Sequence, residues 1–375
     1  MNSYKKIKLS DFVYMNPTER LPKGTVARKI SMDQIEPYKK FVFSTNYEPY
    51  SGGAKFRNGD TIMARITPCL ENGKTAFVSG LAENEIAFGS TEYIVLRAKE
   101  NISIPDFVYY LTVSSIVREP AIKSMVGSSG RQRVQQSVID ELEIPLFSLA
   151  DQQHIVDILG TLDETIENNN QKIQKYENLI ELYFSKLLAE KIEEWEEVSL
   201  LDIAEYTNGL PMQKYRPKST EYLPVVKIKE LSQGYVDYNS EQADISIDEK
   251  NIIDDGDIIF AWSGTLMVKI WCGGKAGLNQ HLFKVTSQKY PKWFVYLWTK
   301  YHLIKFQNIA KGKAVTMGHI KRDDLKTSTA FIPTSDTFER YSNVIEPIFE
   351  KIISLNQENR TISKLKSLYL QKFFG

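Results

Sequence analysis

The chain has 375 residues, 42% hydrophobic and 25% charged, with 47 Lys and Arg against 47 Asp and Glu, which is long enough for two domains with cores of their own. No apolar run reaches bilayer length and Met1-Asn2-Ser3-Tyr4-Lys5 opens no signal peptide, so a membrane span is not expected. Two distant cysteines, Cys69 and Cys272, and four unclustered histidines, His154, His281, His302 and His319, argue for a reduced cytoplasmic setting and against a structural zinc or other metal site.

The zero net charge hides a pattern. Residues 1–150 carry 19 Lys or Arg against 16 Asp or Glu, and residues 151–197 carry 4 against 12. Residues 198–335 carry 18 against 14, and residues 336–375 carry 6 against 5. Two mildly basic blocks are thus separated by an acidic segment. A polyanionic partner would meet the blocks and avoid that segment, although a solvated acidic face explains the segment equally.

In chain order, the first half opens with Ile7-Lys8-Leu9-Ser10-Asp11, which returns as Val198-Ser199-Leu200-Leu201-Asp202. Asn58-Gly59-Asp60-Thr61-Ile62-Met63-Ala64 matches Asp255-Gly256-Asp257-Ile258-Ile259-Phe260-Ala261, each a glycine turn feeding an apolar strand. Ser90-Thr91-Glu92-Tyr93-Ile94-Val95 stands opposite Leu278-Asn279-Gln280-His281-Leu282-Phe283, again polar residues entering a strand. Pro105 and Pro291 then each begin a predicted amphipathic helix, proline being tolerated in the first turn. A small, basic, glycine-bearing loop follows in both halves, Gly127–Arg133 and Ala310–Gly318, and then an Ile-Pro strand end, Ile144-Pro145 and Ile332-Pro333.

Each half closes on a long helix. Ile155, Leu159, Leu162, Ile166, Asn169, Ile173, Tyr176, Ile180, Tyr183 and Leu187 step by four and three residues, close to the ~3.5-residue coiled-coil period. Adding 186 to each number gives Tyr341, Ile345, Ile348, Ile352, Leu355, Asn359, Ile362, Lys366, Tyr369 and Phe373, among which only Lys366 breaks the pattern. The predicted seam sets Leu162, Ile166, Asn169, Ile173, Tyr176 and Ile180 against Ile348, Ile352, Leu355, Asn359, Ile362 and Tyr369. Gly160 and Pro347 predict breaks, with main helices from about Leu162 to Leu188 and from near Pro347 to the C-terminus. Antiparallel pairing about the midpoint of the repeat places Asn169 opposite Asn359, a register-fixing pair; helices starting at Leu162 move the midpoint and lose it.

The period is too long for a solenoid, so each repeat should be a domain plus an arm. The expected order is a domain at 1–150, a helical spacer at 151–190, a second domain at 191–335 and a second spacer at 336–375. Catalytic signatures are missing: there is no G-x-x-x-x-G-K-[ST], no glycine-rich dinucleotide turn and no arguable nucleophile–base spacing. Catalytic residues and cofactors are therefore not expected in this chain, and a binding protein is favoured.

The loops suit nucleic acid. The first half offers Lys55, Arg57, Arg65, Lys74, Thr91, Ser128, Ser129, Arg131, Gln132 and Arg133. The second offers Lys227, Lys229, Trp262, Ser263, Thr265, Lys269, Asn279, Gln280, Lys311, Lys313 and Thr316. Lys and Arg neutralise phosphates, whereas Arg, Gln and Asn also pair with base edges. Taken singly, each residue is better read as an ordinary solvated side chain; the recurrence of matching loops carries the reading.

Gly59–Lys74, the Gly127–Val134 loop with Ile144-Pro145, and Asp151-Gln152-Gln153-His154-Ile155 leading into Leu162-Asp163-Glu164-Thr165-Ile166 together resemble the specificity subunit of type I restriction–modification enzymes, over essentially the whole chain. Arg340 and Tyr341 stand where the first helix has His154 and Ile155. The resemblance implies an α+β fold: two tandem α/β target-recognition domains joined by two long helices in an antiparallel coiled coil with pseudo-two-fold symmetry. It implies a non-catalytic subunit in which each domain reads half of a bipartite, asymmetric site in double-stranded DNA while the helices set the spacing. Its partners would be two methyltransferase (modification) subunits and two restriction subunits, which would hold the methyl donor and ATP. A helix of about 27 residues is ~40 Å long, near the ~34 Å turn of B-DNA. A coiled-coil scaffold with two protein-binding domains, or a nuclease or methyltransferase with a degenerate site, are the alternatives.

Overall fold

The computed structural model describes residues 5–42, 45–237, 239–312 and 318–375. Its contacts group into two units, residues 1–166 with 362–375, and residues 167–361. In the first unit Lys6–Lys8 pairs antiparallel with Glu143–Pro145, closing the start of the domain on its end. One four-stranded antiparallel sheet runs in the order Val13–Met15, Tyr93–Ala98, Thr61–Ala64, Thr75–Phe77. A second runs Asn46–Pro49, Val26–Ile30, Ala87–Gly89, Lys55–Phe56, with its middle pair parallel.

The second unit repeats this order. Glu196–Ser199 pairs with Thr329–Ile332. The antiparallel sheet is Glu205–Asn208, Leu282–Thr286, Asp257–Ala261, Met267–Trp271, and the mixed sheet is Gln242–Asp244, Tyr222–Val226, Ala276–Leu278, Ile252–Ile253. Both units are thus the same mixed α/β domain.

The glycine turns fold as their sequence requires. Gly59 and Gly256 adopt φ of +86° and +82°, open to glycine without steric cost. The following aspartates close the turns: Asp60 accepts the Arg57 amide and Asp257 the Asp254 amide, both at 2.8 Å. Each carboxylate also meets a cation on the neighbouring strand, Arg97 at 2.6 Å and Lys284 at 2.9 Å. Burying Asp60 is tolerable because Arg97 grips it through two nitrogens.

Two expectations about helices are corrected. The proline-led helices Pro105–Val113 and Lys292–Tyr301 are not amphipathic: residues 107–112 and 293–299 are buried on every side, because each is embedded in the core of its unit. The long helices are also unbroken, Leu149–Ala189 and Ser335–Phe374, with Pro347 inside the second. Pro347 removes one N–H and frees the carbonyl of Asn343. Both residues lie on the exposed face of the helix, while Tyr341, Ile345, Phe349 and Ile352 around them stay buried.

Within each unit the long helices meet antiparallel. In the second, Asn169 donates to Asn359 at 3.1 Å and Asn359 to Asn170 at 2.9 Å, while Glu190 accepts from Tyr341 at 2.7 Å and also meets Arg340. All twelve predicted seam residues are buried or half-buried. Arg360 pins the helix to its domain by gripping Asp255 at 2.7 Å through two nitrogens. In the first unit Phe374 packs on Phe107 and Phe147, with ring centroids 5.7 and 5.8 Å apart.

Lys366, the residue that breaks the heptad character, is itself buried. Its ammonium meets Asp163 at 2.5 Å, and the second Asp163 oxygen accepts from the Tyr110 hydroxyl at 2.8 Å. Burial beside this carboxylate pushes the Tyr110 phenol far above its usual range, which keeps it a donor. The residues 186 positions away are Ile180, Phe349 and Tyr296, where Tyr296 and Phe349 stack edge-on at 5.5 Å. One repeat therefore fills this position with charge, the other with apolar surface.

Candidate functional site

In each unit part of the predicted loop set converges where a central strand runs out. In the first unit the strand Thr61–Ala64 continues into Arg65, whose amide donates to the Glu92 carbonyl and whose carbonyl accepts from Val134, both at 2.9 Å. Thr67 donates to the Gln132 carbonyl at 3.0 Å, and Arg133 bridges both Ile66 and Val126. The basic loop is thereby returned beside the strand end, with residues 127–131 exposed. Thr91, also exposed, precedes Glu92.

Three charged side chains meet there. Arg133 Nε lies 3.0 Å from each Glu92 oxygen and its Nη2 donates to one of them at 2.6 Å. That hydrogen bond holds the Glu92 carboxyl below the usual carboxylate range. Arg65 reaches the Val134 carbonyl through Nη2 at 3.4 Å, and its Nε is buried with no acceptor among the described residues.

The second unit builds the same frame with other side chains. Trp262 donates to the His281 carbonyl at 3.3 Å and accepts from Ile320 at 3.1 Å; Gly264 donates to Gly318 at 3.0 Å, and Ser263 bridges His319. Position by position, Trp262 replaces Arg65, His281 replaces Glu92 and His319 replaces Arg133. The Trp262 ring lies 6.2 Å from His281 and 6.3 Å from His319. Ser263 and Gln280 flank the two nitrogens of the His281 ring at 2.9 and 3.4 Å, and buried Asn279 accepts the His281 amide at 3.2 Å. Trp262 Nε1, like Arg65 Nε, is buried without an acceptor among the described residues. Thr265 and Lys311 line an adjoining cleft of about 450 Å³ with Gln307 and Gly318.

The remaining candidates lie elsewhere. Lys55 donates to the Glu19 carbonyl and Lys74 to that of Met32, both scaffold contacts. Arg57 is exposed, its guanidinium 3.9 Å from Glu19. Lys227 pairs with Glu241 at 2.6 Å, Lys229 with Asp237 at 3.0 Å, and Lys269 donates to the Ser232 carbonyl at 2.8 Å. Exposed pairs of this kind are worth ~0–1 kcal/mol, so they hold these lysines only weakly against a competing phosphate. Lys313 and Thr316 lie outside the described residues. Sequence reasoning passed over Glu92, His281 and His319. The first two were visible as neighbours of chosen residues in aligned motifs, but an acid was not sought in a basic loop set.

Comparison with known proteins bears on the two units as whole domains. The family model for the type I restriction modification DNA specificity domain matches twice, over residues 1–178 and 192–364. The MjaIX specificity subunit of Methanocaldococcus jannaschii is 24% identical over 308 residues, 72% of this chain and 69% of that subunit. The EcoAI specificity subunit of Escherichia coli is 29% identical over 157 residues, 40% of this chain and 26% of that subunit. The crystal structure of a type I restriction-modification S subunit from M. genitalium has the same fold, with a TM-score of 0.58 at 13% identity, covering 100% of this chain and 97% of that one.

Proposed function

The chain belongs to the type I restriction modification DNA specificity family, and from that premise we propose that it is the DNA-reading subunit of a type I restriction–modification complex. Each domain reads one half of a bipartite, asymmetric site in double-stranded DNA, and the long helices set the spacing. The chain carries no reaction of its own. Its partners are two modification (methyltransferase) subunits and two restriction subunits, which hold the methyl donor and ATP, and the setting is the cytoplasm. Among the described residues no helix is long and apolar enough to cross a membrane.

One observation supports the split, asymmetric site above all: a single backbone frame occurs twice, carrying Arg65, Glu92 and Arg133 in one unit and Trp262, His281 and His319 in the other. Equal frames call for equivalent placement on DNA, and unequal side chains call for unequal half-sites. Methylation mapping in a host carrying this chain and its modification subunit tests this. The motif should be split, and exchanging residues 1–150 for another member's domain should change one half alone. A continuous motif, or both halves changing together, would refute the reading.

A further inference from the structure

The Arg133–Glu92 pair has the geometry of a base reader. Arg133 is fixed at its backbone by bridges to Val126 and Ile66, so it is held more firmly than the exposed tip of its loop. Its guanidinium is fixed by Glu92, which takes Nε and one Nη2 hydrogen. Glu92 is itself anchored, its carbonyl accepting from Arg65 at 2.9 Å and its amide donating to Ser90 Oγ at 3.1 Å. A guanidinium has five N–H donors in a planar fork. With the side edge given to Glu92, the terminal edge keeps two parallel N–H groups, one from each Nη. No described residue takes them, and 47% of the side chain is open to solvent.

Two parallel donors on a rigid plane suit two acceptors side by side. Phosphate and the major-groove edge of guanine both offer that. Glu92 decides between them. A phosphate brought to Arg133 would sit close to a carboxylate and be repelled, whereas guanine O6 and N7 are uncharged acceptors. Resting on the function proposed above, we infer that the half-site read by the first domain contains a guanine recognised by the terminal edge of Arg133, with Glu92 as its positioning residue. The second domain has His319 and His281 at these places, so the inference is confined to one half-site.

The test uses the intact complex with its modification subunit on an oligonucleotide carrying the mapped motif. Each guanine of the half-site assigned to residues 1–150 is replaced in turn by 7-deazaguanine, which lacks the N7 acceptor. A bidentate contact carries ~1–3 kcal/mol of discrimination, so one substitution should weaken binding by about tenfold. R133A should be indifferent to that same substitution and methylate sites with other bases there, leaving the other half-site unchanged. R133K should fail to restore the preference, lacking the fork. E92Q should keep the preferred base with reduced discrimination. A half-site with no guanine, or no guanine sensitive to 7-deaza substitution in the wild-type complex, overturns the inference while the split motif still stands. So does an R133A complex that keeps the wild-type sensitivity. An unsplit motif would instead sink the function on which it rests.

Discussion

His302 shows how a single side chain couples the second unit to pH. Its Nε2 lies 2.8 Å from the Thr329 carbonyl and its ring stacks on Trp298. Burial, opposed in part by that contact, lowers its pKa below the ordinary value of 6.5. As pH falls through about 6.5, the unfolded chain binds the proton while the folded chain still resists it. Stability should therefore drop from that point downward, until the lower folded value is passed. Urea unfolding between about pH 7.5 and 5.5 should give a steeper loss for the wild type than for H302Q, and equal slopes would contradict this. The same scale sets the limit of legibility at the site. Arg65, Arg133 and Trp262 were chosen by residue type, whereas Glu92, His281 and His319 acquire meaning only beside them, through contacts between positions far apart in the chain.

Among the elements, the helix seam is the part most open to reading, because a 3.5-residue period is a property of consecutive residues. Asn169 faces Asn359 because the repeat pairs about its midpoint, which requires helices that run through Gly160 and Pro347. That continuity is not legible in the sequence, since exposure of Asn343 and Pro347 is decided by what packs on the opposite face. Lys366 and Asp163 are the clearest energetic case. Removing one partner of a buried pair costs about 3–5 kcal/mol, whereas a well-packed apolar replacement of both is often neutral or better. K366M should thus destabilise the first unit by that order, leaving the buried Asp163 carboxylate with the Tyr110 hydroxyl but without its cation. D163F/K366I, which copies Phe349 and Ile180 of the other repeat, should recover most of the loss. Chemical denaturation of the three proteins checks this; a double variant as weak as K366M would show that the pair contributes something apolar packing cannot replace.

At the scale of the whole molecule, the zero net charge predicts little non-specific attraction, and affinity for DNA should come from the basic faces of the two domains. Counterion release makes log K fall linearly with log salt. R131A, on an exposed loop, and K311A, at the exposed C-terminal end of the helix Leu303–Lys311, should each lower the magnitude of that slope by about 1, with the methylated motif unchanged. A variant that alters the motif and leaves the slope intact would mean the residue reads a base instead. The duplicated order of elements, the helix seam and the want of catalytic signatures were legible in the sequence, because periodicity and repetition are local properties that survive without a fold, while the class of each domain came from the family resemblance those repeats carry. Which loop residues come together was decided only in three dimensions. Strand ends, returning loops and buried charges are paired by sheet register and core packing, and no spacing along the chain encodes those distances.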